Sequence, residues 1–297
     1  MARSQRSTVA RRDLARYQRF EDLSPEVGEL DEAAVDAAMA DDPDEVLGLL
    51  ADMARATDPA LRELARRLAG RLVVDLARCG PTRQRGVGRI ETTRFDPDAG
   101  DLDVDASTEA IVEARAAGAA VDPERLHVRR WVRPRTAVCL LVDRSGSMQG
   151  RPLATNALAA AAAALRCQEQ DYSVIAFAGD AVAVKSQDEV APVERVVDRV
   201  LALRGKGTTD LAGALRLAAH QLARTDAGRK VVVVLSDCRA TEPGDVLAAA
   251  SALEELVIIA PAGDDEDAQR LALEAGAPIA TVAGPSEFPA TFAHLLG

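Results

Sequence analysis

Rings are scarce in this chain. Aromatic residues are 3% of its 297 positions, with one Trp, two Tyr and five Phe. So few stacking platforms argue against a binder of single-stranded nucleic acid, which holds bases on aromatic faces. Histidine occurs only at His127, His220 and His294, and the cysteines at 79, 139, 167 and 238 form no Cys-x-x-Cys pair. Structural zinc needs Cys and His clustered at short spacing, so that class is excluded. Cys139 lies inside an apolar run and Cys167 near the end of an Ala-rich segment; thiols placed this way suit a reducing compartment. No apolar stretch reaches the length of a membrane-spanning helix. None follows Arg11-Arg12, as a secretory or twin-arginine signal would require. Basic residues are outnumbered too: 36 Lys and Arg against 47 Asp and Glu leave a net charge of −11, the reverse of a general nucleic-acid binder. The expectation is an acidic, cytoplasmic protein with no nucleic-acid partner and no membrane span.

What is present supports a sizeable core. Hydrophobic residues make up 48% of the chain, well outside the composition of disordered proteins. Charge is uneven at the start. Residues 1–20 hold six arginines and one acid, Asp13, whereas residues 21–60 hold thirteen acids and Arg55. Such a basic arm can bind the acidic block, meet a partner, serve as an organellar presequence or remain a solvated terminus.

The chain divides into three parts. Residues 1–85 read as helical, with segments at Asp31 to Ala40 and Pro59 to Arg78; Leu61, Leu64, Leu68, Leu72 and Leu76 recur at three- and four-residue spacing in the second. Pro43 and Gly80-Pro81 read as loops. Residues 86–135 form an extended connector: a small β-hairpin from 88–95 and 101–105, then a helix over 106–117. From 136 to 297, apolar runs alternate with helical periods, the signature of βαβ units and a doubly wound, mostly parallel six-stranded α/β sheet. Strands are expected at 137–143, 172–178, 181–186, 230–236, 256–260 and 278–283. The intervening helices are expected at 152–169, 192–203, 210–224, 243–254, 265–275 and 286–296. Only Gly179-Asp180 joins the second and third strands, too few residues for a crossover, so that pair should be antiparallel.

Candidate chemistry sits where strands end. Asp143-Arg144-Ser145-Gly146-Ser147 follows the run Ala137 to Val142, and Ser236-Asp237 follows Val231 to Leu235. Between them lies Gly207-Thr208-Thr209-Asp210-Leu211. Hard oxygen donors in this density suit a small hard cation, Mg²⁺ or Mn²⁺. In a doubly wound sheet the carboxyl ends of strands diverge at a switch point and leave a crevice for a ligand.

These three segments resemble the von Willebrand factor A domain and its metal-ion-dependent adhesion site, over roughly residues 136 to 297. The resemblance implies that Ser145 and Ser147 bind the metal directly, that Thr209 binds directly or through water, and that Asp143 and Asp237 act mostly through bound waters. Thr209 is preferred over Thr208 because the family's Gly-x-Thr-Asn/Asp-Leu phrase aligns with Gly207 to Leu211. One departure is visible: the family's glycine after the second Asp is here Cys238. Neutral direct ligands leave the cation's charge poorly compensated, so a carboxylate from a partner would complete the shell. Arg144 and Lys206 are candidate contacts to that partner.

A second resemblance rests on Gly100-Asp101-Leu102-Asp103, a helix, and Arg129-Arg130-Trp131-Val132-Arg133-Pro134-Arg135 before the site strand. This layout is similar to bacterial CoxE-type proteins and to D subunits of metal chelatases, which are usually partnered with MoxR-type AAA+ ATPases. It implies an intracellular adaptor for such an ATPase or its client; the alternative is a chelatase-type subunit assisting metal insertion. A metal-assisted hydrolase is the remote third. Gly146-Ser147-Met148-Gln149-Gly150 sets the second glycine one residue too far for a nucleophile elbow. Gly205-Lys206-Gly207-Thr208 is no phosphate loop either, since Val200 and Gly207 stand where glycine and a hydroxyl are needed. The expectation is a binding module rather than an enzyme.

Overall fold

Helices open the chain. A computed structural model of the protein describes residues 8–78, 89–96, 100–132, 135–145, 151–167, 171–205 and 207–296. The first helices are α1 (Arg11–Leu14), α2 (Phe20–Leu23), α3 (Glu32–Asp41), α4 (Pro43–Met53) and α5 (Pro59–Arg78). Helix α5 follows the leucine spacing. The reading of Pro43 as a loop is corrected: Asp42 caps α4 by accepting from Glu45 N at 2.9 Å, and Pro43 occupies its first turn. There the missing N–H costs nothing. The arginine arm, where described, folds onto the acidic block. Arg16 meets Asp52 at 3.0 Å, Arg19 meets Glu45 at 3.2 Å, and Val9 bridges Ala56 in parallel.

Residues 85–135 form a compact unit of their own. It holds β1 (Arg89–Arg94), β2 (Asp101–Leu102), α6 (Val104–Ala116) and β3 (His127–Val132). The expected hairpin is absent: β1 and β2 each pair antiparallel with β3, which lies between them. Asp103 explains why the chain turns into helix instead. Its carboxylate caps α6 through Ala106 N at 3.1 Å and also takes Thr92 at 2.7 Å and Arg129 at 2.9 Å, hydrogen bonds that hold its pKa below the usual range.

The remaining elements are β4 (Thr136–Asp143), α7 (Arg151–Arg166), β5 (Tyr172–Phe177), β6 (Ala181–Lys185), α8 (Val193–Leu201), α9 (Leu211–Leu222), β7 (Arg229–Leu235), α10 (Val246–Ser251), β8 (Glu255–Pro261), α11 (Glu266–Ala275), β9 (Ile279–Val282) and α12 (Phe288–Leu296). The sheet order is β6-β5-β4-β7-β8-β9, parallel except for the β5–β6 pair. Successive residues of β4 face opposite cores, as the pleat requires. Val138, Leu140 and Val142 join the core that includes α7, α8 and α12; Ala137, Cys139 and Leu141 join the one that includes α9 and α11. The first core also contains Leu49, Leu50, Leu61 and Leu68 of α4 and α5, so residues 1–84 and 136–297 are one compact unit. Helix α7 is therefore covered on both sides, and Ala157 and Ala159 to Ala161 are fully buried. Alanine serves there because its small side chain lets helix and sheet approach closely.

Candidate metal centre

The chain leaves β4 toward β5 on one side and later returns to β7 on the other, so the strand order reverses between β4 and β7. A parallel sheet opens its crevice at such a point. Asp143 is the last residue of β4, and Ser236-Asp237 follow the last residue of β7. One hydroxyl joins them: Ser236 Oγ donates to Asp143 Oδ2 at 2.5 Å and lies 3.5 Å from Asp237 Oδ1. Its own acceptor capacity is used by Cys238 N at 2.9 Å. Carboxylates 94 positions apart in sequence thus share one serine, close enough to address one ion.

Asp143 is held from three directions. Its Oδ1 accepts from Ser145 N at 2.6 Å, and its main-chain oxygen accepts from Asn156 Nδ2 at 3.0 Å, tying the strand end to α7. Burial pushes its carboxyl pKa up; hydrogen bonds from Ser145 and Ser236 oppose this, and the charge of Asp237 adds to it. Burial disfavours the charged form, so a cation arriving here would relieve a carboxylate already strained by desolvation. Asp237 is more open, with its side chain 25% exposed, and its Oδ1 accepts from Arg239 N at 2.9 Å.

Thr209 is buried in the segment after Gly207. Thr241 Oγ1 accepts from its N at 2.8 Å, and its carbonyl accepts from Thr241 N and Glu242 N. Asp210 N donates to Ala178 O at 2.6 Å. These bonds stitch the segment to the loops following β5 and β7. Thr208 is turned elsewhere, its hydroxyl so close to Gly179 that any Cβ there would sit 2.2 Å from it. No hydrogen bond to the Thr209 hydroxyl occurs among the described residues.

Arg144 departs from expectation as a partner contact. It is 8% exposed, its guanidinium engages the Asp180 carboxylate in the β5–β6 turn, and its N donates to Phe177 O at 2.8 Å. Its contacts to Asp180 and Phe177 brace the strand end after β4 against the β5–β6 turn. Among the described residues Arg151 lines the crevice with its side chain 54% exposed, and Arg239, 58% exposed, is paired with Asp264 at 2.7 Å. Ser147 and Lys206 lie outside the described residues.

Beside the carboxylates lies a crevice of about 210 Å³ whose lining includes Asp143, Ser145, Asp237 and the apolar Ile259 and Pro261. Among the described residues no three His, Cys, Asp or Glu side chains cluster as a metal site. The donors that do converge are two carboxylates with hydroxyls, the oxygen set suited to a hard cation with water in its shell. The residues present fit such an ion. Sequence reading missed Ser236, Asn156 and Thr241. Ser236 stood next to Asp237 in plain view; Asn156 and Thr241 gave no signal because only folding brings them to the loops they hold.

Residues 138–240, from β4 to just past Asp237, match the family model of the von Willebrand factor type A domain. No curated protein matches the chain by sequence. Solved structures similar to it include a von Willebrand factor type A protein from Catenulispora acidiphila, 14% identical with a TM-score of 0.44, over 57% of this chain and 43% of that one. BatB from Bacteroides thetaiotaomicron is 16% identical with a TM-score of 0.41, over 54% of this chain and 97% of the other. Manganese-loaded TRAP from Plasmodium vivax is 16% identical with a TM-score of 0.41, over 55% and 72%. No helix among the described residues is long and apolar enough to cross a membrane.

Proposed function

We propose that the chain is a metal-dependent protein-interaction module and not an enzyme. Asp143, Ser145, Ser147, Thr209 and Asp237 would hold Mg²⁺ or Mn²⁺, and an Asp or Glu of a protein partner would complete the site. The observation that carries this reading is the meeting of Asp143 and Asp237 on the Ser236 hydroxyl at the switch point. A divalent cation bound there supplies a positive centre with a coordination position for an outside oxygen. Asp143 and Ser236 keep the loop in shape, and the exposed edge of Asp237 faces the incoming group. No histidine is among the described lining residues of this crevice, which favours binding over proton transfer. The partner we propose is a MoxR-type AAA+ ATPase or its client, in the cytoplasm of a bacterium, on the strength of the CoxE-like layout in residues 100–135.

Binding to the folded state alone raises stability by about 2.7 kcal/mol at a hundredfold excess over the dissociation constant. Thermal unfolding with Mg²⁺ or Mn²⁺ against chelator should therefore show a cation-dependent rise in Tm that Asp143→Ala abolishes. Capture of the ATPase should need the cation and fail with Asp237→Ala. Capture surviving both chelator and Asp237→Ala would move the docking surface away from the metal. A metal-delivery enzyme recovered in place of the ATPase would favour the chelatase-type role.

A further inference from the structure

Away from the metal crevice, four arginines face one cavity. Arg55 follows α4, Arg62 and Arg66 lie on α5, and Arg204 follows α8; together with Glu63 and Thr8 they line a space of about 260 Å³. The balance of charge is unusual for a chain of net charge −11. Glu63 is the one carboxylate among the described lining residues; it pairs at 3.0 Å with Arg66, which also meets Asp198 at 3.8 Å, so Arg62 and Arg204 carry the charge that a ligand would use. Arg62, a lining residue, gives one hydrogen bond to Ala56 O at 3.3 Å. Arg55 is only 9% exposed. Its pKa is lowered by burial first, Asp52 acts in the opposite direction, and the charge of Arg204 lowers it further. Guanidinium groups gathered this way repel one another, and an oxyanion with several acceptor oxygens is the ligand that reverses the sign of every pair.

We propose that this cavity is a binding site for a small molecule bearing a phosphate group. A phosphate carries up to two charges and enough oxygens to take bonds from several arginines at once, whereas a carboxylate brings one charge and two oxygens. The space is partly enclosed between α4, α5 and the end of α8, so it suits a soluble compound rather than a membrane surface. Arg62 and the exposed Arg204 are the contacts we assign to the anion.

The test uses the full chain in chelator-treated buffer, titrated with inorganic phosphate or pyrophosphate against chloride at matched ionic strength. Calorimetry should show saturable binding, with pyrophosphate the tighter of the two. Arg62→Gln and Arg204→Gln should each weaken it by about tenfold or more, as expected for loss of a charge-assisted contact. Arg12→Gln, outside the cavity, should not. In chloride buffer without phosphate, Arg204→Gln should unfold at or above the wild-type temperature, because it removes repulsion on Arg55. Absence of binding beyond chloride would overturn the proposal. Affinities unchanged in both cavity variants would overturn it equally. So would an Arg204→Gln protein that loses binding only because it has lost stability. Capture by phosphatidate vesicles without binding of soluble pyrophosphate would show a lipid-facing surface instead.

Discussion

Cys238 shows how one residue records the demands of its loop. It is the one non-glycine residue with positive φ among those described, at 60°, and it occupies the position where the resembling family carries glycine. The left-handed backbone is thus kept, at a cost of about 1–2 kcal/mol for a residue with a Cβ. The thiol is 6% exposed, and burial pushes its pKa up to about 12, so it is a packed and unreactive group. Cys238→Gly should preserve the fold and cation-dependent Tm shift, with strain relief offsetting lost packing. Cys238→Val should destabilise more than Cys238→Gly does, because a β-branched side chain fits left-handed backbone worst; chemical denaturation of the two variants would check this order. Tyr17 makes a pH prediction. Its hydroxyl donates to the buried Asp52 at 2.7 Å, and burial, followed by that hydrogen bond, pushes its pKa up to about 12. A folded pKa above the unfolded value of about 10 means that its contribution is complete below pH 10 and is lost as pH rises toward 12. Tm should fall over that window more steeply in the wild type than in Tyr17→Phe.

At the scale of elements, the parallel sheet was legible because its strands are short apolar runs buried on both faces, bounded by Gly, Asp and Ser. The same rule failed for β3. Within the extended connector no strand is read over Val128-Arg129-Arg130, whose adjacent arginines break the apolar run, yet pairing with two neighbours makes it the central strand of its sheet. Helix α4 was missed because Pro43 was weighed as a breaker, without regard to Asp42 before it. Helix α7 was legible as a helix, but that both its sides are buried was not, since that depends on α4 and α5 lying across it. Ala160→Leu adds volume where no space exists. It should cost about 1–3 kcal/mol by denaturant unfolding, far more than an alanine-to-leucine change on an exposed helix face.

For the whole molecule, the helical layer from Val9 to Ala77 shares a hydrophobic core with the sheet. Removing residues 1–78 would uncover α7 and α8 along the faces that α4 and α5 bury. The shortened chain should bind a hydrophobic dye, lose its cooperative thermal transition and aggregate. A monomeric fragment with wild-type Tm would show that the helical layer adds nothing to the core. The arginine arm belongs to this same layer: Arg11 Nη2 donates to Ser24 O at 2.7 Å and Arg16 pairs with Asp52, so charge segregation along the sequence becomes charge pairing in space.

The sequence by itself determined the α/β alternation, the antiparallel β5–β6 pair and the placement of Asp143 and Asp237 at strand ends. Those features are local, being set by the period of apolar residues and by what a two-residue connection permits. Only the tertiary structure decided that Ser236 unites the two carboxylates, that Arg144 turns to Asp180 and away from solvent, and that four arginines from three separate segments face one cavity. Each of these depends on which side of an element meets which neighbour. That choice is made by the packing of two cores on one sheet, and no stretch of chain carries it alone.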